Sequence, residues 1–80
     1  MRIAYQGVIG AYSEAAALRF NDSADLMSCL SFENVFEAVD GGLATHGILP
    51  IENTIGGTIH RNYDLLLEHE LPIVGEIKLP

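Results

Sequence analysis

The sequence predicts an α/β fold, a three-layer lobe with a mainly parallel sheet, and three observations predict it. Strand-like and helix-like stretches alternate along the eighty residues. Gly7, Ser13, Ser31, Gly41-Gly42 and Gly56-Gly57 stand where these stretches meet, and each is a residue type that starts or stops an element. Between them, Gly47-Ile48-Leu49-Pro50-Ile51 is a nearly continuous apolar run of the kind found in strands covered on both faces.

Taken in order, residues 2–6 read as a first strand, with Ile3 and Tyr5 alternating against Ala4 and Gly7 stopping the run. A glycine loop leads to a helix over 12–20, whose Ser-Glu-Ala-Ala-Ala-Leu-Arg-Phe contains strong helix formers behind the hydroxyl of Ser13. Asn21-Asp22-Ser23 breaks it, and 26–30 reads as a second strand. Ser31 is the expected N-cap of a second helix in which Phe32, Val35, Phe36 and Val39 recur at the spacing of one buried face. Gly41-Gly42 ends it. The third strand follows over 47–51, with Pro50 at its carboxyl end or at a bulge. A third helix over 58–68 places Ile59, Tyr63, Leu66 and Leu67 on one side, and Glu70-Leu71-Pro72 ends it. Alternation over 73–79 predicts a fourth strand, so the expected order is β-α-β-α-β-α-β.

Eleven acidic residues against four basic ones leave a net charge of −7 with no basic patch, which argues against nucleic acid and anionic membranes as partners. Apolar residues make up 49% of the chain, enough for a core. The single cysteine, Cys29, excludes an internal disulfide and a cysteine-based zinc site, and a buried, inert thiol is expected. His46 and His69 have no ligand partner at metal spacing, so no metal is assigned. His60 and Arg61, in the first turn of the third helix, are expected at the surface, and Tyr5 and Tyr63 in packing roles. Without a basic-then-apolar start or a span of about 20 apolar residues, the expected compartment is the cytoplasm.

Two loops fall beyond the carboxyl ends of strands, where α/β sheets bind ligands. The first, 7–13, joins backbone amides at a helix start to the hydroxyl of Ser13, which suits an anion; a plain capping role for Ser13 explains the same residues. It is neither a dinucleotide fingerprint nor a Walker loop. The second, 52–58, is denser. Glu52, Asn53, Thr54 and Thr58 crowd around Gly56 and Gly57, whose missing side chains permit close approach to a ligand, although Asn53 and Thr54 could equally serve the loop itself.

Ala4-Tyr5-Gln6-Gly7 followed by Gly10-Ala11-Tyr12-Ser13-Glu14-Ala15-Ala16 resembles the opening of the prephenate dehydratase family, which includes the arogenate dehydratases. So do Leu49-Pro50-Ile51-Glu52-Asn53-Thr54, then Gly57-Thr58-Ile59, the run from His60 to Leu67, and Ile73-Val74-Gly75-Glu76. The resemblance covers essentially the whole chain in order. It implies a fold like type II periplasmic binding proteins, with residues 1–80 as most of the first lobe and the site in a cleft against a second lobe. It also implies a return segment with a Thr-Arg-Phe motif and an ACT domain, none of which lies in these residues, so the eighty residues alone are expected to be inactive.

On matched positions, the resemblance implies that Asn53, Thr54 and Ser13 contact substrate, with Gly56 and Gly57 in the same loop, while the family's catalytic threonine has no counterpart here. Asn62 is read as an ordinary helix residue. The implied reaction converts prephenate to phenylpyruvate by loss of CO2 and water, which needs neutral donors to hold carboxylates and assist the departing hydroxide, with no metal or organic cofactor. Arogenate as the substrate, or a lobe that binds a small acid without chemistry, are the alternatives. A homo-oligomer is expected, because a lobe lacking its return segment leaves strand edges open.

Overall fold

The computed structural model describes residues 1–7, 12–50 and 57–77, with the backbone alone for 57–61 and 63. Arg2–Gln6 (β1) is flanked by Asp25–Cys29 (β2) on one side and His46–Gly47 (β3) on the other, giving a parallel sheet of order β2-β1-β3. Helices Tyr12–Phe20 (α1), Phe32–Asp40 (α2) and Gly57–His69 (α3) complete the described elements. The register pairs Ile3 with Leu26 and with His46, and Ala4 with Met27 and with Gly47.

The central place of β1 explains its composition. Ile3, Ala4 and Tyr5 are all buried, because a middle strand is covered on both faces. Its side chains alternate between two layers. Tyr5 reaches α1, where its hydroxyl donates to Glu14 Oε2 at 3.2 Å. Ala4 turns the other way and packs with Val35 and Ala38 of α2, together with Cys29 and Ala44. Right-handed crossovers require the same division: the chain moves from β1 to β2 in one direction and from β2 back past β1 to β3 in the other, so α1 and α2 cover opposite faces.

Helix α2 forms as its pattern predicts. Ser31 is extended, at φ −141° and ψ 165°, and its hydroxyl accepts from Asn34 N at 3.1 Å, satisfying one of the free amides of the first turn. At the other end Gly41 N donates to Glu37 O at 2.8 Å, and Gly42 takes φ 77°, a left-handed turn natural to glycine. Leu43 N and Ala44 N both return to Ala38 O, at 2.9 and 3.0 Å, and turn the chain toward β3. Val35 and Phe36 are each almost fully buried, and burial of such side chains stabilises by about 1.5–3 kcal/mol apiece.

Several expectations are corrected. The second strand runs Asp25–Cys29, one residue earlier than read, which leaves Leu30 exposed. The third strand is only His46–Gly47; Ile48 N still donates to Ala4 O at 3.0 Å, after which Pro50, lacking an N–H, cannot extend the ladder. Ile48, Leu49 and Pro50 are half-buried, so this run is not sealed on both faces among the described residues. No fourth strand forms over 71–77. Both edges of β1 are already taken, and among the described residues nothing pairs with this stretch, whose Ile73 and Val74 are exposed. Its alternation is therefore insufficient: a strand needs a partner ladder. Helix α3 runs one residue beyond the expected 58–68 at each end and closes through Glu70 at φ 55°, whose N–H returns to Leu66 O at 3.0 Å.

Candidate functional site

The carboxyl ends of β1 and β3 lie side by side, because the strands are adjacent and parallel. They are also the strands between which the chain reverses its direction across the sheet, the topological position where open α/β sheets hold ligands. The loop after β1 leads into α1 and the segment after β3 into α3, so both loops singled out from the sequence leave the same end of the sheet at neighbouring places.

The described part of this end is closely tied. Gly7 leaves β1 at φ 127°, a conformation that a side chain would strain, and its N–H donates to Cys29 O at 3.1 Å. Ser28 Oγ donates to the Gly7 carbonyl, so β2 grips the first loop at its root. Tyr5 stands two residues before Gly7, in β1, and pairs with Ser28. Burial first, then its hydrogen bond to Glu14, pushes the phenol above its ordinary value of 10.0, and it stays neutral as a donor at physiological pH. Burial likewise pushes the Cys29 thiol above its ordinary value of 9.0, in keeping with the inert thiol expected of it.

Of the sequence-predicted site residues, Ser13 occupies the second position of α1 and is half-buried. It stands inside the first turn, so the cap position falls ahead of it. Gly57 is the first residue of α3. Asn53, Thr54 and Gly56 lie outside the described residues, as do the side chains of His60, Arg61 and Tyr63. Among the described residues no cluster of histidine, cysteine or acidic side chains could hold a metal ion, and no helix is long and apolar enough to cross a membrane.

Three features were not read from the sequence. Glu14 serves Tyr5 across the layer, a contact that depends on where α1 crosses β1. His69, at the end of α3, meets Asp40 through Nδ1 and stacks on the Phe36 ring with centroids 5.2 Å apart, joining α3 to α2. Asn62, read as an ordinary helix residue, is 1% exposed and donates from Nδ2 to Pro50 O at 3.5 Å. Its place in the run beside Leu65 and Leu66 was the available signal, since an amide on the apolar side of a helix has a partner to find.

The model of the family described as prephenate dehydratase matches residues 3–80. The chain belongs to this family. It is 56% identical over 79 residues to arogenate dehydratase 2 of Petunia hybrida, covering 99% of this chain and 20% of that protein. It is also 56% identical over 79 residues to a chloroplastic arogenate dehydratase/prephenate dehydratase of Arabidopsis thaliana, with 99% of this chain and 21% of that protein covered. A third relative, the chloroplastic arogenate dehydratase 4 of Arabidopsis thaliana, is 54% identical over 80 residues, 19% of its length. The chain thus spans about a fifth of the length of these family members.

The family match bears out the resemblance carried by the two loop motifs. The names of the relatives correct the cytoplasmic expectation: those from Arabidopsis are named chloroplastic. The expectation rested on the lack of a leader within these eighty residues, and a stretch covering a fifth of its relatives cannot carry that inference.

Proposed function

We propose that this chain supplies the amino-terminal part of the catalytic unit of an enzyme that removes CO2 and water from prephenate, giving phenylpyruvate, or from arogenate, giving phenylalanine. The observation that carries the reading is the family match over residues 3–80. The adjacency of the β1 and β3 carboxyl ends supports it, since both family motifs leave the sheet there. Relatives named for arogenate and for both substrates favour the two acids equally.

In this reading Ser13, Asn53, Thr54, Gly56 and Gly57 form the substrate-binding wall. The ring carboxylate leaves as CO2, its electron pair enters the ring, and the ring hydroxyl departs as water after taking a proton. Asn53 amide, Ser13 hydroxyl and the free amides of α1 and α3 suit the holding of the acid groups. The lobe is of the type II periplasmic-binding-protein kind, closed by a second lobe that contributes the opposite wall.

Turnover by the full-length protein tests the reading. Each substrate is supplied separately; phenylpyruvate is followed by its alkaline ultraviolet absorbance and phenylalanine by chromatography. Conversion of neither substrate overturns the proposal, and the ratio of kcat/KM values assigns the preferred acid. Asn53→Ala removes a hydrogen bond to a charged group, about 1.5–3 kcal/mol, so kcat/KM falls roughly ten- to 150-fold. Unchanged kinetics in a folded Asn53→Ala protein remove that residue from the site.

A further inference from the structure

We infer that Asn62 is a positioning residue whose carboxamide fastens Pro50, three residues past β3, to helix α3, and so sets the place of the chain ahead of residues 51–56. The sheet itself cannot do this. Among the described residues the last backbone bond from this part of the chain to β1 is Ile48 N to Ala4 O, and Pro50 has no N–H to continue it. Two residues beyond that bond, the Pro50 carbonyl accepts from Asn62 Nδ2 at 3.5 Å, a contact between residues twelve apart in sequence.

The chemistry of the side chain points the same way. Asn62 is 1% exposed, and Leu65, three residues on in α3, is buried as well, so the amide lies on a side of the helix that ordinarily carries aliphatic residues. Its Oδ1 is buried with no hydrogen-bond partner among the described residues. An unmet acceptor in the interior is costly, and an apolar side chain of the same size would avoid that cost. The donor is the part that a leucine cannot supply, and it is spent on the carbonyl from which the motif-bearing segment departs. The contact is with backbone, so it holds the Pro50 carbonyl whatever side chains follow.

The kinetic consequence rests on the function proposed above, whereas the structural one does not. The test compares the full-length wild type with Asn62→Leu, which keeps the branched heavy-atom shape in a larger side chain and loses donor and acceptor, and with Asn62→Asp, which keeps the size and puts a carboxylate oxygen where the donor stood. Hydrogen exchange is read in three peptides, covering 48–57, β1 and α2. Deprotection of 48–57 by about tenfold in either folded variant, with β1 and α2 as in the wild type, is the expected result. Exchange unchanged in 48–57, or raised alike in all three peptides, overturns the inference and leaves Asn62 as a packing residue.

Kinetics supply the second readout. Displacement of the segment lowers kcat per folded site on the order of ten- to a hundredfold, with a smaller change in KM, whereas a purely structural role leaves both unchanged in folded protein. A wild type that turns over neither substrate overturns the proposed function alone. The exchange result still decides Asn62.

Discussion

Gly47→Ala should destabilise the protein through one steric contact. A Cβ built at Gly47 lies 2.8 Å from Val35 Cγ1 and 3.4 Å from Val39 Cγ2. Carbon atoms in good contact lie about 3.5–4.0 Å apart, so the first distance requires a movement of roughly 0.7 Å or more. Val35 is 1% exposed, and in a close-packed interior it can turn only by displacing its neighbours. Overpacking of this kind costs about 1–3 kcal/mol, and the loss of glycine's freedom in the unfolded chain offsets about 0.4–1 kcal/mol, which leaves a net cost of up to about 2.6 kcal/mol, centred at about 1 kcal/mol. Val35→Ala alone removes two buried methyl groups and costs about 2 kcal/mol or more. In the double variant the new methyl occupies space that Val35 vacates, so the two costs should fall short of their sum by at least about 1 kcal/mol. Urea unfolding of the full-length protein and its three variants measures this coupling, provided that the transition remains cooperative. Additive costs, within about 0.5 kcal/mol, would show that α2 does not approach β3 through the glycine, and the account of how β3 is seated would fail.

Glu70 closes α3 in the left-handed region at φ 55°. Glu70→Gly should therefore raise stability by about 0.5–1 kcal/mol in urea unfolding, and a loss would show that the Glu70 side chain matters more than its backbone. The raised pKa values of Tyr5 and Cys29 set a direction with pH. Both groups bind their protons more tightly when folded, so their contribution is fully present below the ordinary values, 10.0 for Tyr5 and 9.0 for Cys29, and is lost above them as pH rises through the raised values of the folded protein. Stability should fall from about pH 9 upward, and Tyr5→Phe should flatten the part of the decline above pH 10; an unaltered slope in that variant refutes the assignment to Tyr5. The isolated eighty-residue chain should be inactive on both acids and should self-associate, since Leu30, Leu67, Ile73 and Val74 are all more than two-thirds exposed. Sedimentation of a compact monomer at micromolar concentration, or turnover that scales with protein, would refute the respective half of this expectation.

Local chemistry made the helices legible from sequence. Ser31 caps α2, Gly41-Gly42 turns the chain at its end, and the spacing of Val35 and Phe36 specifies its buried face, because each effect acts within one or two turns of chain. The same holds for the family motifs, Gly10 to Ala16 and Leu49 to Thr54, which are contiguous strings and need no fold to be read. Tertiary structure alone decided what depends on residues far apart in sequence. The alternation over 73–79 could not say whether a strand edge was free to pair with it, and over 71–77 none among the described residues does. That β1 lies between β2 and β3, so that its carboxyl end meets that of β3, follows from opposed crossovers and not from any local pattern. Asn62 shows the same division at one residue: its neighbours Leu65 and Leu66 mark the apolar side of a helix, whereas its bond to Pro50 exists because α3 comes back to the segment that follows the third strand.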